Sequence, residues 1–283
     1  MSGGKKEAEM ETDNRTKIIV VTHKKYRMPQ NSVYVPLYVG AAGKNITGYY
    51  RDDTGDNISL KNPYFCELTG LYWAWKNLDY DYLGVTHYRR YFTLKRLAGI
   101  WTCRSGVQEK MKYILNEEEI AQLVKKYDVI VPQKRRYIIE TLYSHYAHSH
   151  YSLHLDLVRN IIAKKYADYL PAFDKVMEQR SGHMFNMFIM KKTLVEQYCT
   201  WLFDILFELE GQVDVDGLSP FQGRLYGRVS EIIFNVWLLY QIETSHIKVK
   251  SIPCLFIEPI KFRKKTTAFL KAKFFHEKYE SGF

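Results

Sequence analysis

The chain has 283 residues, a hydrophobic share of 46% and a formal net charge of +10 at pH 7. That length suits one large domain or two small ones; no apolar run is long enough to span a bilayer, and no signal peptide opens the chain. The charge favours an anionic partner, and nothing resembles a zinc finger, an RNA-recognition motif or a helix-turn-helix, so phosphate ligands and membrane surfaces rank above nucleic acid. Aromatic residues make up 15%, with 23 Tyr; they suit stacking on sugar rings and equally a Tyr-rich core. The four cysteines, Cys66, Cys103, Cys199 and Cys254, show no metal-ligand spacing and fit a reducing cytoplasm.

Residues 1–15 are polar and charged and read as a disordered leader. Lys17–Val21 (KIIVV) is a β-branched strand, with Thr22-His23-Lys24-Lys25 at its end. In open α/β sheets that is where nucleotide sites begin; the alternative is a solvated turn. No G-x-G-x-x-G follows, so a dinucleotide cofactor is not expected. Tyr34–Val39 is a second strand, and Arg51–Ser59 is a polar, turn-rich loop without the spacing of a calcium loop.

The richest stretch is Lys61–Phe92. Asn62 is placed to cap a helix with Pro63 at its first position, and Phe65, Leu68, Leu71, Tyr72 and Trp75 form its apolar face. After an acidic turn, Tyr82–Thr86 reads as a central strand that ends in His87-Tyr88-Arg89-Arg90-Tyr91. Guanidiniums beyond a strand's carboxyl end make an anion site, since Arg holds phosphate oxygens with paired hydrogen bonds.

Thr93–Arg104 reads as a flap, Glu117–Lys126 as an amphipathic helix and Asp128–Val131 as a strand. Gln133-Lys134-Arg135-Arg136 then puts basic residues after another strand, which suits either a phosphate crevice or a solvated loop. Ser144–Leu157 carries His145, His148, His150 and His154; on one helix Tyr146, His150 and His154 share a face, open to zinc or to substrate hydrogen bonding. Tyr166–Glu178 reads as linker and helix, and His183–Met190 as a strand in which Asn186 needs a polar partner. Lys192–Leu209 reads as a scaffold helix. Ser219-Pro220 opens a last helix to about Tyr240, with an apolar stripe of Phe221, Leu225, Val229, Ile232 and Val236. Beside it runs a polar row, Arg224, Arg228, Glu231 and Asn235, in which Arg228 and Glu231 are either an exposed ion pair or site residues. Lys261–Phe275 mixes basic and apolar residues and suits an anionic lipid surface or a disordered end.

CELTGLYWAWKN followed by DYLGVTHYRRYF resembles the bacterial polysaccharide-biosynthesis glycosyltransferase family DUF4422, and the resemblance runs from about Ile18 to about Leu239. It implies an α/β, GT-A-like Rossmann-type fold, a single central mixed sheet flanked by helices, over residues 16–258, with 259–283 as a basic tail on a membrane surface. It implies a hexosyl transfer, galactofuranose in some relatives, from a nucleotide-diphosphate donor, UDP-linked by expectation, to an oligosaccharide or lipid-linked surface-polysaccharide acceptor. Such an enzyme is cytoplasmic, peripheral to the inner face of the plasma membrane. The donor-binding candidates are Thr22, His23, Lys24, Asp56, Lys61, Asn62 and Tyr88; the acceptor-binding ones are Tyr146, His150, Asn186 and Arg228. Glu231 is the first candidate for a general base if the reaction inverts, ahead of Asp216 and Asp214. Many GT-A enzymes hold a metal through Asp-x-Asp at a strand end. Here Asp79-Tyr80-Asp81 precedes its strand, so Arg89, Arg90 and His87 are expected to replace the metal, with no cofactor. The rival readings are a metal-dependent hydrolase built on His145–His154 and a non-enzymatic module binding membrane or polyanion.

Overall fold

The computed structural model describes residues 15–95 and 106–258. The leader except Arg15, the tail at Lys261–Phe275 and most of the flap expected over Thr93–Arg104 lie outside them.

In chain order the strands are β1 (Thr16–Thr22), β2 (Tyr34–Tyr38), β3 (Tyr50–Arg51), β4 (Tyr82–His87), β5 (Arg90–Phe92), β6 (Val129–Pro132), β7 (Arg135–Arg136), β8 (Ser181–Gly182), β9 (Phe188–Lys191), β10 (Val249–Ile252) and β11 (Cys254–Phe256). The main sheet has the order β10-β6-β9-β4-β1-β2-β3, and a short β5–β11 ribbon joins the end of β4. β1, β2, β3 and β4 run parallel; β9 lies antiparallel between β4 and β6. This is a mixed sheet flanked by helices, as the sequence implies.

The β-branched run of β1 explains why it sits centrally. Ile19 and Val21 face one helical layer while Ile18 and Val20 face the other, so every second residue feeds a separate core. The helices are α1 (Asn62–Phe65), α2 (Leu68–Asn77), α3 (Val107–Met111), α4 (Glu117–Val124), α5 (Leu142–Ser149), α6 (Leu153–Lys165), α7 (Leu170–Glu178), α8 (Lys192–Glu210) and α9 (Leu225–Ser245). The larger core joins α1, α2 and α5 to α9 on one face, around the fully buried Trp237, Tyr198 and Phe188; the smaller one holds α4 with Tyr91 and Phe92. Burying each such side chain stabilises the fold by about 1.5–3 kcal/mol.

Four local expectations need correction. The helix expected from Asn62 is two pieces, broken at Cys66, whose φ is 54°. Asn62 lies inside the first piece, not at its cap; its amide donates to the Cys66 carbonyl (2.7 Å) and to Thr69 Oγ1 (3.1 Å), which stitches the break. The histidine helix also breaks: α5 ends at Ser149, and His150 is extended. The strand expected at His183–Met190 begins only at Phe188, because Phe185 and Asn186 take φ of 80° and 48°. The last helix starts at Leu225, with Ser219 closing a turn onto the Gln222 N–H instead. Beyond it, β10 and β11 form from a stretch, Val249–Phe256, that carries no strand expectation.

Candidate active site at the strand ends

Two local irregularities build the site. The break at Cys66 sets Glu67 at the N-cap of α2, and the left-handed pair Phe185-Asn186 brings an amide across to meet it. Asn186 Nδ2 donates to Glu67 Oε1 (2.8 Å) and to the Gly227 carbonyl (2.9 Å), while its Oδ1 accepts from Ser230 (3.0 Å). Gly227 matters sterically as well. A Cβ there would stand 3.2 Å from Cys66 Cβ, so glycine lets α9 approach the broken helix closely.

Glu231 lies one turn further along α9. Burial pushes its carboxyl up to about 7, and the nearby Glu67 carboxylate adds to this; Arg90, the Phe185 backbone N–H and Arg135 act in the opposite direction. Two carboxylates therefore share one electrostatic environment, with Arg90 as a neighbouring cation.

His87 ends β4 and pairs in register with Arg90 across the turn. Its Nε2 lies 2.6 Å from the Phe185 carbonyl, so that nitrogen carries the proton and donates. Burial holds the imidazole below its ordinary pKa, against the pull of Glu67. A neutral imidazole with its donor committed cannot act as a phosphate cation; His87 instead pins the turn that presents Asn186. Arg90 is placed for the anionic role. Its guanidinium lies 4.6 Å from the Phe185 ring centroid, and its Nε is buried without a hydrogen-bond partner among the described residues. Arg89 is directed differently, pairing with Glu258 Oε2 at 3.3 Å, and Lys24 reaches the same carboxylate at 3.8 Å.

The remaining candidates divide clearly. Tyr88, buried, carries Lys24 5.1 Å from its ring and His23 edge-on at 5.6 Å, which gathers the β1 and β4 ends into one rim. Thr22 spends its hydroxyl on the Lys24 backbone (2.6 Å) and shapes that turn. Lys61 pairs with Glu210 (2.6 Å), and Asn62 holds the helix break. Asp56 is not brought to the site. It accepts from Tyr72 (3.2 Å) near the end of α2, where Asn77 also bonds its backbone. That end of the 10-residue helix is about 15 Å along its axis from Glu67.

Tyr146, His150 and Arg228 come together despite the broken helix. Tyr146 OH meets His154 Nδ1 at 3.0 Å, and His150 Nδ1 donates to Gln222 Oε1 (2.9 Å). Burial first, then Arg228, lowers His150 to about 3 and His154 to about 4, so both are neutral. Arg228 lies 4.0 Å from the Phe221 ring centroid and forms no ion pair with Glu231 among the described residues. His145 and His148 have a separate partner: their Nδ1 atoms bond the two oxygens of the buried Glu140, at 2.8 and 2.6 Å. The sequence reading missed that acid. Among the described residues no group of three or more His, Cys, Asp or Glu side chains is arranged to hold a metal ion.

Asp79 and Asp81 lie at the amino end of β4, where both pair with Arg15. Asp214 and Asp216 sit in an exposed turn closed on itself, with the Asp216 N–H donating to Asp214 (2.9 Å). At the strand ends, the residues that sequence reasoning passed over are Glu67 and Glu258. Glu67 stands inside the CELTG signature, yet helical periodicity gives no sign of a one-residue break beside it.

The model of the family described as a domain of unknown function (DUF4422) matches residues 17–242. Among curated proteins none matches the chain. Among solved structures, the apo structure of the bifunctional glycosyltransferase WbbM is similar, with a TM-score of 0.79 and 32% identity. The match covers 87% of this chain and 46% of WbbM, so the chain spans about half the length of that protein.

Proposed function

The chain belongs to the DUF4422 family, and from that premise and the strand-end geometry we propose that it is a glycosyltransferase using a nucleotide-sugar donor. The observation that carries the reading is the placing of two carboxylates, Glu67 and Glu231, within electrostatic reach of each other and of a guanidinium, Arg90, whose Nε is buried and has no hydrogen-bond partner among the described residues. In this reading the diphosphate meets Arg90 and the rim formed by Lys24, His23 and Arg89, and the sugar lies towards Glu231. The acceptor hydroxyl loses its proton to Glu231 as its oxygen bonds the anomeric carbon. The bond from that carbon to the phosphate oxygen breaks, and the nucleoside diphosphate leaves with the electron pair. A carboxyl near 7 is well matched to a general base at neutral pH, and fixed cations stabilise the charge developing on the leaving group. Glu67, fastened by Asn186, raises the basicity of Glu231 by like-charge proximity.

The finer assignments belong to the same proposal: a UDP-linked hexose donor, an oligosaccharide or lipid-linked surface-polysaccharide acceptor on Tyr146, His150 and Arg228, cytoplasmic placement beside the membrane, one domain over 16–258, and arginine in place of a metal. A metal hydrolase on the histidine cluster is less well supported, since Glu140 already occupies His145 and His148.

The test is a thermal-shift screen against nucleoside diphosphates and their sugars, with and without EDTA. A ligand that binds only the folded state at 100 times its Kd stabilises it by about 2.7 kcal/mol. The expected outcome is a shift from one nucleotide class, unchanged by EDTA and lost in Arg90→Ala. A shift abolished by EDTA removes the arginine-for-metal mechanism; no shift from any nucleotide overturns the transferase reading.

A further inference from the structure

Apart from the strand-end site, the most unusual surface is the segment after β6, which holds β7 and then Ile138 and Ile139. Ile138 is 86% exposed and Ile139 56% exposed, adjacent β-branched side chains standing in water. Their neighbours on both sides are fixed. Tyr137 is buried and its N–H donates to the Arg180 carbonyl (2.7 Å), and Glu140 is buried between His145 and His148. The two isoleucines are thus held outward between anchored residues, at an energetic cost that a purely structural loop has no reason to carry.

The charge around the tip is of one sign. Lys134, Arg135 and Arg136 precede it and are exposed, and exposed Arg180 lies across the β7–β8 pairing. None of these four forms an ion pair among the described residues; Arg135 rests 5.0 Å from the Tyr137 ring centroid. Aliphatic tips ringed by cations match an anionic bilayer: the isoleucines enter the acyl boundary while the cations meet headgroup phosphates. A soluble polyanion would use the cations and leave the isoleucines without purpose. The loop also stands beside the site, since Arg135 lies close enough to Glu231 to lower its pKa.

We propose that the Lys134–Ile139 loop is a membrane-docking element that inserts Ile138 and Ile139 into an anionic lipid surface and holds the strand-end site against it. Only the purpose of this surface rests on the transferase reading; vesicle binding is measured without turnover, so either can fail alone.

The experiment is vesicle flotation of the full chain on phosphatidylcholine with and without about 30 mol% phosphatidylglycerol, where cation and apolar contributions both register. Wild type should float with the anionic vesicles, and Ile138→Ser with Ile139→Ser should weaken binding about tenfold or more. The melting temperature of that variant and its nucleotide-induced shift should stay unchanged, which separates lost docking from lost fold. Lys134→Ser with Arg136→Ser should weaken binding to the anionic vesicles and flatten its loss with salt. Three outcomes overturn the assignment: no flotation of wild type, wild-type binding by the isoleucine variant, or full competition by heparin in which that variant competes as wild type does.

Discussion

Two regions of this molecule combine histidines with buried acid, and they differ in whether the charges are satisfied. Around Glu140 the accounting closes. One carboxylate meets two imidazoles, and although burial works against its charge, their hydrogen bonds hold its pKa below the ordinary value. At the strand ends it does not close. Glu231 is pushed up to about 7 by burial and by Glu67, and Arg90 keeps a buried nitrogen without a partner among the described residues. Closed networks specify a fold, whereas open ones hold free energy that a ligand can release. The histidine-rich segment attracts attention as letters, yet the chemistry is expected where two glutamates far apart in sequence are forced together.

The sharpest way to break this contrast is at Glu231. If it is the base, Glu231→Gln should lower kcat by about 10²–10⁴ while the fold survives. The acid limb of the wild-type rate profile should fall tenfold per pH unit below about 7. Glu67→Gln should move that limb to lower pH, since it removes the like charge. Stability should move the other way. A carboxyl whose folded pKa is raised binds its proton more tightly when folded, so its ionisation costs stability increasingly from about 4.5 up to about 7. Glu231→Gln should therefore be more stable than wild type at pH 8, by about 3 kcal/mol, and equal to it at pH 4, read from urea midpoints. A variant with lost activity and lost stability at pH 8 would make Glu231 structural.

Glu140 supplies the counterpart. Glu140→Ala leaves two imidazoles without their acceptor and should cost about 2–4 kcal/mol, with turnover per folded molecule kept within about threefold. The sign with pH is opposite to that of Glu231. A depressed carboxylate pKa stabilises above the unfolded value and loses that contribution as pH falls through the folded one. The burial-lowered His145 likewise favours the unfolded chain once pH drops below the ordinary histidine value. Wild type should lose this increment on acidification, and the variant should lose less. A large fall in turnover would show that this cluster takes part in the reaction.

What could be read from sequence was whatever repeats. Period-2 and period-3.6 apolar patterns located β1, β2, β4, β6, α4 and α8, and the placement of His87 and Arg90 at a strand end followed from β4 alone. What could not be read depends on single residues in rare backbone states. Cys66 at φ 54° and Asn186 at φ 48° are not glycines, so nothing in the letters marks the turns that carry Glu67 and the amide to each other. Long-range partners were invisible for a related reason: Glu258 reaches Arg89 and Lys24 from the far end of the chain. Gly227 offered the best clue, since a glycine inside a helix implies a close neighbour, here the Cys66 turn.

The smallest expected effect tests the contrast at the opposite end of β4. Asp79 and Asp81 carry the only letters in that segment resembling a metal motif, but Asp79 is exposed, Asp81 is half-buried, and both answer to Arg15. Backbone and side-chain bonds from Arg15 lower the Asp81 pKa, so the carboxylate is stabilised by a local cation and owes nothing to a distant ligand. Exposed pairs of this kind contribute little. Asp79→Asn with Asp81→Asn should leave kcat unchanged at any added Mn²⁺ concentration and shift the melting temperature by no more than about 2 °C. The geometry behind this is the direction of the chain. These acids precede a strand whose carboxyl end, a full strand length away, holds Arg90 and Glu231, and no side chain spans that distance. A variant inactive but normally folded would therefore require the substrate to bind at the amino ends of the strands, and would move the site away from the two glutamates.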